Sequence, residues 1–290
     1  STLIGTVQKN GDYAFVIPDN KNFTKDIFIS ENESKKLKDK DRVVVKIIDW
    51  SEKLKNPTGI VQDILTANQE NDIAMKEILL QNGFPLEFSS EVIQEAMAIP
   101  NSISEDEIKQ RRDFRSTFTF TIDPFDAKDF DDAISFKKLQ NKHYEIGVHI
   151  ADVSHYVTQG SRMDKEAYSR ATSVYLPDRV LPMLPEKISN ELCSLRPNED
   201  KLTFSVVFEI SQEGKVVDYW IGKTIIHSQK RFTYEDAQEI IEGGNHVYKD
   251  EILTVHQISQ QLRKEKFKEG AINFSSEEIR FRLNELGKPV

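Results

Sequence analysis

The chain has 290 residues, 38% of them hydrophobic, with 48 Asp and Glu against 39 Lys and Arg, a formal charge of −9 and a single cysteine. That length predicts two domains at roughly 100 to 200 residues each, with apolar material for two ordinary cores. No apolar run approaches the roughly 18 residues of a spanning helix, and no basic stretch leads into an apolar signal core, so a soluble, cytoplasmic monomer without a membrane partner is expected.

Cys193 has no partner for an intramolecular disulfide, which removes any pointer to an oxidising compartment. The acidic balance argues on its face against nucleic acid, whose binders usually carry a basic footprint. The charge is uneven, however. Residues 1–65 hold 11 Lys and Arg against 10 Asp and Glu, so the negative excess belongs to the other 225 residues.

Residues 1–65 read as five short strands: Ile4 to Gln8, a turn at Asn10-Gly11, Tyr13 to Ile17, a loop at Pro18-Asp19-Asn20, Asp26 to Ile29, Val43 to Ile48 and Gly59 to Leu65. Five such strands suggest a small barrel. Tyr13 and Phe15 alternate onto one face, with Phe28 on a later strand and Lys9, Lys21 and Lys25 nearby. This is the aromatic-plus-basic arrangement of an oligonucleotide-binding surface, or equally a core, because period-two alternation does not say which face is buried.

From about Asn71 the period becomes helical. Val92, Ile93, Ala96 and Met97 fall on one helix face, Pro100 stops that helix, and Ser104 to Glu107 has capping-box spacing for the next. A mixed region follows. Phe118, Phe120 and Ile122 alternate in one strand, Tyr144, Ile146, Val148 and Ile150 in a second, and Phe204, Val206, Phe208 and Ile210 in a third. The turn Ser211 to Gly214 then leads into Lys215 to Ile226 as a hairpin. Ser161 with Asp164 and Thr233 with Asp236 have cap spacing, and Gly243 and Gly270 stand where helices end. The region from about residue 100 reads as α+β.

The densest chemistry is Thr121-Ile122-Asp123-Pro124-Phe125-Asp126-Ala127-Lys128-Asp129-Phe130-Asp131-Asp132-Ala133, with five carboxylates in ten residues against one lysine. Like charges packed this tightly repel unless a cation sits among them, and carboxylate oxygens are the ligands hard Mg²⁺ prefers. Two such ions roughly 3.5–4 Å apart clamp the attacking and leaving oxygens of a phosphodiester. A solvated acidic loop is the plain alternative, but the interleaved Phe125, Ala127, Phe130 and Ala133 point to a partly buried turn, where unpaired carboxylates are costly. Other motifs fail on spacing. Phe125 and Ala127 occupy ligand positions of a calcium loop, and His149 with His155 is the sole histidine pair near zinc spacing and reads as structural. Cys193 reads as a buried small hydrophobe, and Gly243-Gly244 is too short for a phosphate loop. Three prolines between Pro177 and Pro185 hold the next stretch extended, so that Tyr175 is presented from a stiff segment suited to stacking on a base or to ordinary packing.

Four blocks stand in order: Thr121-Ile122-Asp123 with Asp129-Phe130-Asp131-Asp132-Ala133; Val148 to Val157; Tyr175-Leu176-Pro177; and Leu184 to Pro197. Together they resemble the RNase II/RNase R family of 3′-to-5′ exoribonucleases. Asp126 to Asp132 and Gly270-Ala271-Ile272-Asn273-Phe274 are more similar to the RNase R branch. The resemblance implies a mixed fold: a cold-shock or OB-like β-barrel over residues 1–65, a helical connector over 66–100, and the first part of an α+β RNB catalytic domain over 101–290.

It further implies that Asp123, Asp129, Asp131 and Asp132 are the active-site carboxylates that hold Mg²⁺, or Mn²⁺ in its place, with Asp131 the most critical. Tyr175 is then the aromatic that stacks on the 3′-terminal bases, with Phe274 its partner. The reaction implied is processive hydrolysis of single-stranded RNA to nucleoside 5′-monophosphates. Asn10 to Val16 departs from the doubled glycine-aromatic pattern of a free-standing cold-shock protein. By the same resemblance, a first cold-shock domain, the remainder of the RNB domain and a C-terminal RNA-binding domain are expected outside these 290 residues. The chain alone is therefore expected to be an RNA-binding piece without turnover.

Overall fold

The computed structural model describes residues 2–50, 55–65, 70–177, 179–274 and 281–282. The chain forms two compact units, residues 1–88 with 173–181 and 279–290, and residues 89–172 with 182–278. No helix among the described residues is long and apolar enough to cross a membrane.

In the first unit, strands β1 (Thr2–Asn10), β2 (Tyr13–Pro18), β3 (Ile27–Ile29), β4 (Arg42–Asp49) and β5 (Thr58–Leu65) close into a barrel in the order β1-β2-β3-β5-β4, as the five predicted strands anticipated. Closure leaves no unpaired edge. Asn10 pairs with Tyr13 across a two-residue turn that Gly11 enters at φ 63°, a left-handed conformation that costs glycine nothing. Val7, Ala14, Val16, Ile27, Ile29, Val43 and Val45 fill the interior with Leu37, which follows α1 (Glu31–Ser34). On α2 (Glu70–Gln81), Leu80 packs against Ile4, Val44 and Leu65.

The second unit opens with α3 (Ser90–Met97) and α4 (Glu105–Lys109). On α3, Val92 and Ala96 are buried while Ile93 and Met97 are exposed, so the buried stripe is one residue wide rather than the four-residue face the sequence suggested. Four further strands follow: β6 (Arg112–Asp113), β7 (Thr119–Asp123), β8 (Asp132–Lys138) and β9 (Tyr144–Ala151). After α5 (Val153–Tyr156) and α6 (Arg162–Arg170) comes the hairpin β10 (Val174–Tyr175) and β11 (Val180–Leu181), which belongs to the first unit. A π-helical turn at Lys187–Leu192 then precedes β12 (Asp200–Ile210), β13 (Val216–His227) and β14 (Lys230–Thr233), with α7 (Tyr234–Ile241) and α8 (Lys249–Lys268) last. The sheet runs β14-β7-β8-β9-β12-β13-β6, parallel only at its two outer pairs.

Alternation divides this sheet into two faces. Phe118, Phe120, Ile122, Ile134 and Phe232 pack with Ile240 of α7 and Ile252 of α8, and Phe136, Ile146 and Ile210 pack with Ile258 of α8. The opposite face carries Thr119, Thr121 and Asp123 on β7, Ser135 on β8, His149 on β9, Thr203 and Ser205 on β12 and Thr224 on β13, all buried. The predicted caps form at Ser161, which accepts from the Asp164 amide, and at Thr233, whose capping box with Asp236 is complete. At Ser104 the box is half made: its hydroxyl accepts from the Glu107 amide, while the Glu107 carboxylate turns to Arg111 at 2.7 Å.

Candidate active site

The aspartate run is a loop between β7 and β8, the second and third strands of the sheet. Asp123 ends β7 and is buried, Asp129 is half-buried, and Asp131 and Asp132 open to solvent at the start of β8. Three neighbouring segments pin the loop. Ser194 Oγ accepts from the Phe130 amide at 3.1 Å and donates to the Lys128 carbonyl at 3.2 Å, and the Leu195 amide donates to the Phe130 carbonyl at 2.8 Å. The Ala151 amide, at the end of β9, donates to the Asp131 carbonyl at 3.1 Å. Arg231 of β14 donates to the carbonyls of Pro124 and Phe125 at 2.8 and 2.7 Å. The loop is therefore fixed backbone carrying acids rather than a free solvated excursion.

Its electrostatics follow from that confinement. Burial pushes the Asp123 carboxyl above its ordinary range, the Thr121 hydroxyl and Arg231 oppose the shift, and the charges of Asp132 and Asp129 add to it. Asp131 is raised as well, first by the protein packed around its carboxyl and then by Asp129, Asp132 and Asp123. Like charges that disfavour one another's ionisation mark a place where a cation lowers the energy.

The residues fit a hard divalent ion in chemistry. Every donor is a carboxylate oxygen, and Asp123 Oδ2 is buried without a hydrogen-bond partner. The carboxylates do not form a closed cage: among the described residues no three acidic, histidine or cysteine side chains stand together in position to hold one ion.

Behind the loop, a chain of hydrogen bonds crosses four strands. Thr203 and Thr224 meet at 2.5 Å, Thr224 and Ser205 at 2.5 Å, Ser205 and His149 Nδ1 at 2.7 Å, and His149 Nε2 and Ser135 at 2.9 Å. Burial, with a smaller contribution from Arg112, lowers the His149 pKa to about 4, so the ring is neutral. Gly147 makes room for it: a Cβ there would lie 2.5 Å from both His149 Nε2 and Ser135 Oγ. His149 is thus a core residue, which settles the structural reading of this histidine in favour of core over surface. Burial also pushes the Cys193 thiol up to about 12, in keeping with the inert small hydrophobe expected of it.

The aromatic residues occupy separate places. Tyr13, Phe15 and Phe28 alternate with the buried Ala14, Val16, Ile27 and Ile29, so the barrel turns them outward and the open choice between core and surface resolves to surface. Their ring centroids lie 5.7 to 5.9 Å apart. Tyr175 stands on β10, paired with Val180 and 70% exposed, in the first unit. Phe274 follows α8 in the second unit and is 86% exposed.

Sequence reasoning did not single out Arg231, Ser194 or the Arg111–Asp152 pair. Ser194 and Asp152 lie inside the quoted blocks and so carried a signal. Arg231 sits in no recognised motif, and only β14 pairing with β7 brings it to the loop.

Comparison with known proteins agrees with this architecture. Residues 111–290 match the family model described as RNB domain, and residues 15–89 match the one described as cold shock domain. The chain is 40% identical to Ribonuclease R 1 of Lactococcus lactis over 98% of its own length and 36% of that protein's. It is 38% identical to Ribonuclease R of Thermotoga maritima over 99% of its length and 42% of the relative's. It therefore spans about four tenths of these relatives. The solved structure of Mycoplasma genitalium RNase R in complex with double-stranded RNA superposes with a TM-score of 0.80 at 26% identity, covering 100% of this chain and 52% of that one. With the RNB match spanning the whole α+β unit from Arg111 onward, behind a cold-shock barrel, this chain belongs to the RNB family of ribonuclease R-like proteins.

Proposed function

We propose that residues 1–290 carry the metal-binding and RNA-guiding part of a 3′-to-5′ exoribonuclease that degrades single-stranded RNA processively to nucleoside 5′-monophosphates. The observation that carries this reading is the bare, buried Asp123 Oδ2 at the head of a loop that presents Asp129, Asp131 and Asp132 and is pinned by three separate segments. Asp123, Asp129, Asp131 and Asp132 would hold Mg²⁺, or Mn²⁺. The ion supplies charge neutralisation and water activation when bound. Asp131 is assigned the most critical role on the resemblance of its block to the family, and the protein and three acids around its carboxyl, which raise its pKa, are consistent with a metal-facing position.

Tyr175 and Phe274, both exposed aromatics, are assigned to stacking on the 3′-terminal bases, each stacked base contributing about 1–3 kcal/mol. The outward cluster Tyr13, Phe15 and Phe28 is assigned to guiding the incoming strand. We assign residues 1–65 to the RNA-guiding barrel, 66–100 to a connector and 101–290 to the catalytic domain, in a cytoplasmic monomer.

The test is release of mononucleotides from 5′-labelled single-stranded RNA by the longest natural form of the protein that contains these residues. The expected result is EDTA-sensitive shortening that Asp131→Asn abolishes while RNA still binds. Undiminished turnover by Asp131→Asn would sink the assignment.

A further inference from the structure

Arg231 lies on β14 directly opposite Thr121 of β7, and Thr233 lies opposite Asp123. Period two therefore puts the side chains of Thr121, Asp123 and Arg231 on one face of two adjacent strands. Thr121 Oγ1, Asp123 Oδ2 and Arg231 Nε are all buried there without a hydrogen-bond partner. Three such atoms on one face are unusual, because buried polar groups are nearly always paired, and the Thr121 hydroxyl is close enough to Asp123 to favour its ionised form.

Another nitrogen of the guanidinium is engaged. Nη2 donates to the carbonyls of Pro124 and Phe125 at 2.8 and 2.7 Å, and the guanidinium carbon stands 5.1 Å from the centroid of the Phe130 ring. Arg231 thus contacts the residues where the aspartate loop leaves β7 and the aromatic near its other end. One guanidinium nitrogen serves both carbonyls while the planar group also meets an aromatic ring, and a lysine ammonium lacks the planar face for that second contact.

We propose that Arg231 is a positioning residue, a clasp that closes the Pro124–Phe130 loop and so sets Asp123, Asp129 and Asp131 against one another without touching substrate. Its consequence for metal binding rests on the proposed function, whereas the clasp itself does not. Its positive charge also favours the ionised form of Asp123.

The test compares the 290-residue chain with Arg231→Lys and Arg231→Gln, by hydrogen exchange over residues 124–130, Mn²⁺ titration and the unfolding midpoint. Arg231→Lys keeps the charge and the apolar stem but loses the planar guanidinium that reaches both carbonyls and the Phe130 ring. It is expected to speed exchange of the loop amides about tenfold while β8 and β9 keep their protection. Mn²⁺ affinity is expected to fall about tenfold, the usual scale for residues that orient metal ligands, with the unfolding midpoint unmoved.

Loop exchange within about twofold of the unsubstituted chain in both variants would overturn the clasp. So would a lowered midpoint with metal affinity retained, the signature of a merely structural arginine. Should Arg231→Gln fail to fold, Arg231→Lys decides. If the unsubstituted chain takes up no Mn²⁺, the metal reading of the loop fails on its own, and the exchange measurement still decides Arg231.

Discussion

Arg111 Nη2 stands 2.7 Å from Asp152 Oδ2 in an ion pair whose side chains are 0% and 1% exposed. Arg111 also donates to the Glu107 carboxylate and to the carbonyls of Thr203 and Thr224, and Asp152 accepts from Ser154 at 2.8 Å. Burial by itself would raise the Asp152 carboxyl, but the bonds from Arg111 and Ser154 hold it below its ordinary range. One arginine thus ties α4 to β12, β13 and the residue that follows β9.

Removing one partner of such a pair leaves the other charge buried and unanswered. Asp152→Ala is expected to cost about 3–5 kcal/mol of unfolding free energy, read from urea denaturation monitored by circular dichroism. A loss below about 1 kcal/mol would mean that water reaches Arg111 in solution.

His149 links stability to pH. Its folded-state pKa of about 4 lies below the unfolded value of 6.5, so the unfolded chain binds the proton first as pH falls. The contribution is complete above pH 6.5 and is lost between there and about pH 4, a change on the order of 3 kcal/mol. Unfolding free energies from urea titrations at pH 7 and pH 5 should differ by about half of this amount, and His149→Gln should flatten the dependence. Gly147→Ala, which drives a methyl into the same ring, should cost about 1–3 kcal/mol at neutral pH.

The aspartate loop opposes folding in the absence of a cation. Asp131 has a raised folded-state pKa, so its ionisation destabilises the native state increasingly as pH rises from the unfolded value of 3.8 through the folded one. Asp131→Asn is therefore expected to raise the unfolding temperature of the metal-free chain at pH 7. Saturating Mg²⁺ should stabilise the unsubstituted chain, by about 2.7 kcal/mol at a hundred times the dissociation constant, and the variant much less. Differential scanning fluorimetry with and without Mg²⁺ reads both effects, and a lower unfolding temperature for the metal-free variant would contradict the argument.

The barrel aromatics are expected to separate binding from folding. Phe15 and Phe28 are cross-strand partners on the outer face, so Phe28→Ala should cost the barrel no more than about 1 kcal/mol. If a base stacks there, affinity for a fluorescent single-stranded RNA should fall by about 1–3 kcal/mol in anisotropy titrations. Unchanged affinity would assign the cluster to surface packing alone.

Much of this fold was legible before any coordinates. β7, β9 and β12 advertise themselves by period-two alternation, β13 by the turn from Ser211 to Gly214 that precedes it, and the barrel strands by their turn residues. β8 escaped because its first residue, Asp132, belongs to an acidic run that reads as loop, and β14 because four residues carry too short a pattern. On α3 the helical period was right, but which apolar residues are covered depends on what packs there, and Ile93 and Met97 remain exposed.

The sequence by itself determined most of the elements and the aspartate run, because local periodicity, turn chemistry and a dense cluster of like charges are written within a few residues of one another. Only the tertiary structure decided which face of the barrel is wet, that His149 lies neutral within a polar chain across four strands, and that Ser194, Ala151 and Arg231 hold the loop. Those facts arise from residues up to 107 positions apart meeting through strand pairing. No local pattern encodes such a meeting; it comes from the register and burial of the whole sheet.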